Sequence, residues 1–236
     1  MFDTNQLTLL DGAMGTMLQQ SGLKPGELPE LWSLTHPDRL ADIHRQYIAA
    51  GSRVIYANTF GANPRKLAGT GHTVAEAVTA AVAVARQAAA GTGCLVAIDI
   101  GPLGELLEPM GTLTFEAAME AFGEIAEAGA RAGADLAVIE TMTDLYEAKA
   151  ALLAVKEHTG LPTVVTMTFD EGARTFTGCT VASMAHTLTG LGADAIGLNC
   201  SLGPRQVLPM IRELAANTHL PIVAKPNAGL PDPIDG

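Results

Sequence analysis

The chain has 236 residues, of which 48% are hydrophobic and 17% charged, a balance that excludes intrinsic disorder and favours one well-buried domain over residues 1–236. Its net charge of −11, with no cluster of lysine or arginine, excludes a nucleic-acid partner, because binding phosphates requires clustered basic residues. No apolar run approaches the roughly 20 residues that span a bilayer, and three cysteines without a signal-peptide pattern predict a cytoplasmic protein, not membrane-bound, with reduced thiols.

Strand-like and helical patterns alternate along the chain. The order predicted is strand 7–10, helix 38–50, strand 53–57, helix 74–90, strand 94–98, helix 114–132, strand 135–139, helix 144–158, strand 163–168, helix 180–190, strand 194–198, helix 204–216 and strand 221–225. Residues 11–37 are predicted to be irregular, and capping boxes are predicted at Thr73-Glu76 and Asp144-Glu147.

This alternation predicts an α/β fold with a parallel sheet and right-handed crossovers. Most of the strands end in polar residues, which favours a (βα)8 TIM-barrel type over an open doubly wound sheet. A barrel of this type has eight strands, and only seven are predicted before Gly236. We therefore expect a barrel truncated after the seventh strand, belonging to a longer protein.

Polar side chains follow six of the predicted strands. They are Asp11, Asn58-Thr59, Asp99, Glu140-Thr141, Asn199-Cys200 and Pro226-Asn227. Buried parallel strands read as nearly continuous apolar runs, and their carboxyl ends meet at one rim. The pattern predicts an active site there, with the Cys200 thiol among carboxylates and amides.

These strand ends resemble the motifs of the homocysteine S-methyltransferase family, in particular the homocysteine-binding domain of its cobalamin-dependent methionine synthases. The matching segments are LDGAMGT (10–16), ANTFGAN (57–63), DIGP (99–102), IET (139–141), TFD (168–170), GLNCSLGP (197–204) and KPNAG (225–229). The resemblance implies a (βα)8 barrel that binds zinc through Cys200 and two adjacent cysteines after the eighth strand. The Gly-Gly-Cys-Cys segment that carries those two cysteines does not occur in this sequence.

The activity implied by the resemblance is methyl transfer to the thiol of homocysteine, giving methionine. The implied donor is methylcobalamin, carried on a cobalamin-binding domain or a separate corrinoid protein. A free alkyl thiol has a pKa of about 8.5, and zinc acting as a Lewis acid holds it as a nucleophilic thiolate at neutral pH.

The amino-acid end of homocysteine requires partners of both charges. Asp11 and Glu140 are the candidates for its ammonium, and the backbone of Gly12, Ala13 and Met14 for its carboxylate. The remaining substrate-site candidates are Asn58, Thr59, Asn199 and Asn227. Each candidate also has an interpretation without a role in binding. Asp11 could cap a helix or turn, the asparagines could be turn residues, and Cys200 could be a buried apolar thiol.

Other residues and functions compete with this interpretation. Cys94 is predicted at the opposite rim and Cys179 in a loop, and the six histidines show no metal-binding spacing. A sulfonium donor such as S-methylmethionine, or a non-catalytic binding or scaffold barrel, are the main alternatives. A lyase or aldolase of barrel fold would need a Schiff-base lysine, for which only Lys225 is suitably placed.

Overall fold

A computed structural model describes residues 6–228, and its centre is one six-stranded parallel sheet. The strands follow chain order and each pairs in parallel with the next. They are β1 (Val54–Tyr56), β2 (Leu95–Ile100), β3 (Leu136–Met142), β4 (Thr163–Met167), β5 (Ala195–Asn199) and β6 (Ile222–Lys225). The predicted α/β class is confirmed, and the strands form a parallel half-barrel.

Helices connect successive strands and cover the outer face of the sheet. They are α1 (Met14–Gln20), α2 (Trp32–Thr35), α3 (Pro37–Ala49), α4 (Pro64–Leu67), α5 (Val74–Ala89), α6 (Phe115–Arg131), α7 (Leu145–His158), α8 (Val181–Gly190) and α9 (Pro204–Asn217). A 3₁₀ turn at Pro29–Leu31 precedes α2. No helix within residues 6–228 is both long and apolar enough to cross a membrane.

The predicted strand at 7–10 is wrong as an element, so the described sheet has six strands instead of seven. Only Leu10 bridges to Val54, and two backbone bonds, Arg53 N to Leu9 O at 2.8 Å and Asp11 N to Val54 O at 3.1 Å, flank that bridge. Leu7 and Leu9 are 89% and 50% exposed, and so bury little apolar surface that would favour a longer ladder. The segment nevertheless runs alongside β1 and brings Asp11 to the strand ends.

Two further predictions are corrected. Residues 11–37 are not irregular, because α1, the 3₁₀ turn and α2 form within them. The capping box at Thr73-Glu76 is present, whereas Asp144 caps α7 without reciprocation from Glu147. The Glu147 carboxylate instead accepts a hydrogen bond from Leu103 N at 2.8 Å, because it is buried against the loop that follows β2.

The sheet separates two apolar clusters. The larger one lies between the strands and helices and includes Ile98 and Phe122, whereas a smaller one on the concave face includes Tyr56, Ala97 and Val138. Successive side chains on a strand point to opposite faces. Asp99 lies two positions after Ala97 on β2, and Glu140 lies two positions after Val138 on β3. Both carboxylates therefore share the concave face with the smaller cluster. Polar groups thus follow the inner apolar layer towards the carboxyl ends of the strands.

Candidate active site

A cavity of about 720 Å³ opens at the carboxyl ends of the strands. Nine of the ten predicted site residues line it: Asp11, Gly12, Ala13, Met14, Asn58, Glu140, Asn199, Cys200 and Asn227. Thr59 does not, since it is fully buried behind the wall and its hydroxyl bonds the backbone O and N of Asp99, each at 2.8 Å. The lining also includes Tyr56, which was not predicted, Asp99 and Thr141, which were predicted at the rim without a role, and Lys225, which was considered only as a Schiff-base lysine.

A lysine lies between two of the predicted carboxylates. Lys225 Nζ is 3.4 Å from Asp11 Oδ1, 3.7 Å from Glu140 Oε2 and 3.8 Å from the centroid of the Tyr56 ring. The second Asp11 oxygen, Oδ2, accepts a hydrogen bond from Tyr56 N at 2.7 Å. The last residues of β1 and β6 therefore meet the Asp11 segment in one charged cluster, which the spacing of these residues along the chain does not reveal.

Burial dominates the protonation of these acids. It raises the pKa of Asp11 to about 6, against the lowering effect of Lys225. It also raises the pKa of Glu140, again opposed by Lys225, and holds the pKa of Asp99 well above its usual range. Asp99 Oδ1 has no hydrogen-bond partner within the described part of the chain. Burial of Asp99 thus favours its neutral form, whereas Lys225 favours the ionised forms of Asp11 and Glu140.

The Cys200 thiol stands at the end of β5 in an unusual backbone conformation. Cys200 and Ser201 have φ of 59° and 57°, in the left-handed region that costs energy for residues with a side chain. Two backbone bonds to the end of β6 and the segment after it hold this turn: Cys200 N to Lys225 O at 3.1 Å and Asn227 N to Leu202 O at 3.0 Å. The turn directs the thiol into the cavity, where burial raises its pKa.

The segments before and after β1 form the rest of the wall. Asn58 Nδ2 donates to Pro29 O at 2.6 Å and so ties the end of β1 to the 3₁₀ turn. A β-carbon at Gly12 would come within 2.8 Å of the Tyr47 ring, whose hydroxyl donates to Ala13 O at 2.9 Å. Glycine at this position thus permits the close approach that orients the Gly12–Met14 backbone along the cavity.

The described residues do not by themselves form a zinc site with three protein ligands. No group of three His, Cys, Asp or Glu side chains within residues 6–228 could hold a metal ion. Cys94 opens β2 at the far end of the sheet, and the Cys179 thiol bonds Thr180 O at 3.2 Å in the loop before α8. Of the three cysteines only Cys200 lines the large cavity, so the chain offers one thiolate to a metal there.

Comparison with known proteins agrees with this arrangement. A sequence profile of the family described as homocysteine S-methyltransferase matches residues 8–236. Methionine synthases of Mycobacterium tuberculosis and Mycobacterium leprae are each 30% identical over 98% of the chain. The chain spans only 21% of the length of those two relatives. The metallated crystal structure of the homocysteine methyltransferase MmuM from Escherichia coli superposes with a TM-score of 0.83 at 25% identity, covering 95% of this chain and 85% of that one.

Proposed function

The chain belongs to the homocysteine S-methyltransferase family, and on that premise we propose that it binds homocysteine and presents its thiol for methylation to methionine. One observation carries the proposal: the Cys200 thiol and the Asp11–Glu140 carboxylates face the same cavity. Such a cavity offers a sulfur-binding end and an ammonium-binding end to one small amino acid. We further propose that residues 1–236 form a single homocysteine-binding barrel domain.

The amino-acid end of the substrate is bound by opposite charges and by backbone groups. Asp11 and Glu140 accept the ammonium through charge-assisted hydrogen bonds, which are strong in a buried cavity. The backbone of Gly12, Ala13 and Met14 borders the same space and is the proposed partner of the carboxylate. The cavity also exposes Asn58, Asn199 and Asn227, which have amide groups to orient the bound molecule, whereas Thr59 supports the wall from behind Asp99.

Zinc is the proposed cofactor, with Cys200 as the ligand that this chain supplies. A catalytic zinc site takes three protein ligands and keeps one position for substrate. Residues 6–228 do not complete such a set, so the proposal requires ligands from outside these residues.

The proposed methyl donor is methylcobalamin on another domain or on a separate corrinoid protein. The methionine synthases similar to this chain are nearly five times its length, which leaves room in those proteins for a donor-binding part. A small sulfonium donor such as S-methylmethionine is the alternative. The chain covers 85% of the homocysteine methyltransferase MmuM, which is far shorter than the methionine synthases and leaves little room for a separate donor-binding part.

A Schiff-base function for Lys225 is disfavoured. Burial lowers the pKa of its ammonium, but Glu140 and Asp11 raise it more, so the net pKa lies above the usual value. A lysine that attacks a carbonyl carbon needs its neutral form and hence a lowered pKa. The charged cluster therefore opposes lyase or aldolase chemistry at this position.

The function is tested by calorimetric titration of the chain with homocysteine, followed by methionine formation with either methylcobalamin or S-methylmethionine in the presence of zinc. Cysteine, one methylene shorter, is the control ligand. Binding of homocysteine with methyl transfer from one donor supports the proposal and identifies that donor. Because the proposed zinc site requires further ligands, transfer is measured on a version extended past Gly236 that supplies them. Binding without transfer from either donor in that version supports the non-catalytic alternative, and failure to bind homocysteine contradicts the proposal.

A further inference from the structure

The Asp11–Glu140 pair already holds a cation that belongs to the protein. The Lys225 ammonium lies 3.4 Å from one carboxylate and 3.7 Å from the other, with the Tyr56 ring on a third side. The side chain of Lys225 is 22% exposed and that of Asp11 only 2%, so water replaces little of this interaction. Lys225 thus occupies the position at which both carboxylates can interact with an alkylammonium group.

The substrate brings a second ammonium to the same two acids. We propose that Lys225 is an internal competitor of the substrate ammonium, a specificity residue that reduces how much the amino group of a ligand contributes to binding. The inference rests on the proposed function, because it takes homocysteine as the ligand. Lys225 acts here by sharing the carboxylates and forms no bond to the reacting sulfur.

The charge balance indicates that Lys225 and the substrate ammonium share the two carboxylates, and that the substrate does not displace Lys225 completely. Burial raises the pKa of Asp99, the third acid of the cluster, well above the usual range and so favours its neutral form. When both are ionised, Asp11 and Glu140 carry two negative charges against the one positive charge of Lys225. The pocket retains one uncompensated negative charge, which is sufficient for one substrate ammonium and brings the occupied cluster to neutrality.

Competition of this kind has a use in a methyltransferase. Methionine retains the ammonium and carboxylate of homocysteine, so two uncompensated charges would strengthen the binding of product and substrate alike and slow product release. An internal cation weakens the part of the interaction that substrate and product share. The difference between them then depends on the sulfur end of the cavity.

The proposal is tested by comparing two ligands on the wild-type chain and on Lys225→Met. The ligands are homocysteine and γ-mercaptobutyrate, which lacks only the amino group. Dissociation constants are measured at about pH 8, where Asp11 is ionised because burial raises its pKa only to about 6. The preference for homocysteine over γ-mercaptobutyrate should rise at least about tenfold in Lys225→Met, since the ligand ammonium no longer shares Asp11 and Glu140 with a lysine.

Lys66→Met is the matched control, because Lys66 faces the Phe60 ring beside the cavity and forms no ion pair with Asp11 or Glu140. Its preference should equal that of the wild type. Lys225→Gln, which retains a hydrogen-bond donor towards Asp11, provides a second neutral variant if the methionine variant has a collapsed thermal midpoint. An unchanged or decreased preference in a folded Lys225 variant overturns the inference, whereas a wild-type chain that binds neither ligand overturns the proposed function instead.

Discussion

Asn199 holds Thr141 through two hydrogen bonds that join the ends of β3 and β5. Its Oδ1 accepts from Thr141 N at 3.0 Å, and its Nδ2 donates to Thr141 Oγ1 at 2.7 Å. Thr141 has a φ of 61°, and the β3–β4 register shifts at this point, so the clamp holds a strained bulge in place. Glu140 precedes Thr141 and Cys200 follows Asn199, and the clamp therefore fixes the ammonium end of the cavity relative to its thiol.

Replacing Asn199 with alanine should disturb both the fold and the site. The variant leaves Thr141 N and the Thr166 hydroxyl, which donates to Asn199 Oδ1 at 3.0 Å, without their buried acceptor. Each such loss costs about 1–3 kcal/mol, and we expect a destabilisation of about 3 kcal/mol in urea unfolding, with weaker homocysteine binding. Asn217→Ala, at an exposed helix end, should change either quantity little. Normal binding by a folded Asn199→Ala chain would show that the clamp has no part in the site.

Cys200→Ser tests the metal assignment by comparison of three matched variants. If Cys200 is the zinc ligand, its replacement in a version extended past Gly236 that supplies the further ligands should lower zinc affinity at least about tenfold in equilibrium dialysis, because one thiolate is lost. Cys94→Ser and Cys179→Ser should retain the wild-type affinity, since neither thiol lines the large cavity. The thermal midpoint of Cys200→Ser should stay close to that of the wild type. Unchanged zinc binding together with a loss of about 1–3 kcal/mol in stability would identify Cys200 as a buried packing residue.

Glu147→Gln should stabilise the chain at alkaline pH. Burial raises the pKa of Glu147 to about 7, from 4.5 when it is exposed, and its carboxylate accepts a hydrogen bond from Leu103 N that glutamine can also accept. The raised pKa favours the folded state fully below pH 4.5, and this contribution is lost as pH rises through about 7.

The advantage of the Glu147→Gln variant should therefore grow between these pH values and stay constant above them. At one pKa unit per 1.36 kcal/mol its upper limit is about 3 kcal/mol. Chemical unfolding at a series of pH values measures it, with exposed Glu157→Gln on the same helix as the control. A pH-independent difference would show that ionisation of Glu147 does not oppose folding.

Gly197→Ala should destabilise the sheet that carries the thiol. A β-carbon at Gly197 would collide with the backbone carbonyl oxygen of Val223 on the neighbouring strand, and a backbone atom cannot rotate away. We expect a loss of about 3 kcal/mol and a displaced β6, which would also weaken homocysteine binding through Asn227. Gly190→Ala, which has no atom within 4 Å of its β-carbon and ends α8, should be neutral or slightly stabilising. Equal stability of the two variants would contradict this account.

Several features of the site followed from local pattern alone. Asp11, Glu140 and Cys200 were predicted at one rim because parallel strands in a βα fold end on the same side, and all three line the cavity. The strand at 7–10 was wrong because an apolar run shows hydrophobicity and not its burial: Leu7 and Leu9 face solvent. The capping box at Glu147 failed for a related reason, since Leu103 lies 44 residues away and competes for the same carboxylate.

The sequence by itself determined the α/β class, the order of strands β1 to β6 with the longer helices between them, the rim that carries the site and the family to which the chain belongs. These depend on hydrophobic period and on motifs a few residues long, which act locally. Only the tertiary structure decided that Lys225 occupies the Asp11–Glu140 pair, that Thr59 lies behind the wall and that Asn199 clamps Thr141. Lys225 and Asp11 are 214 residues apart, and curvature of the sheet brings their charges together at a distance that no local pattern records.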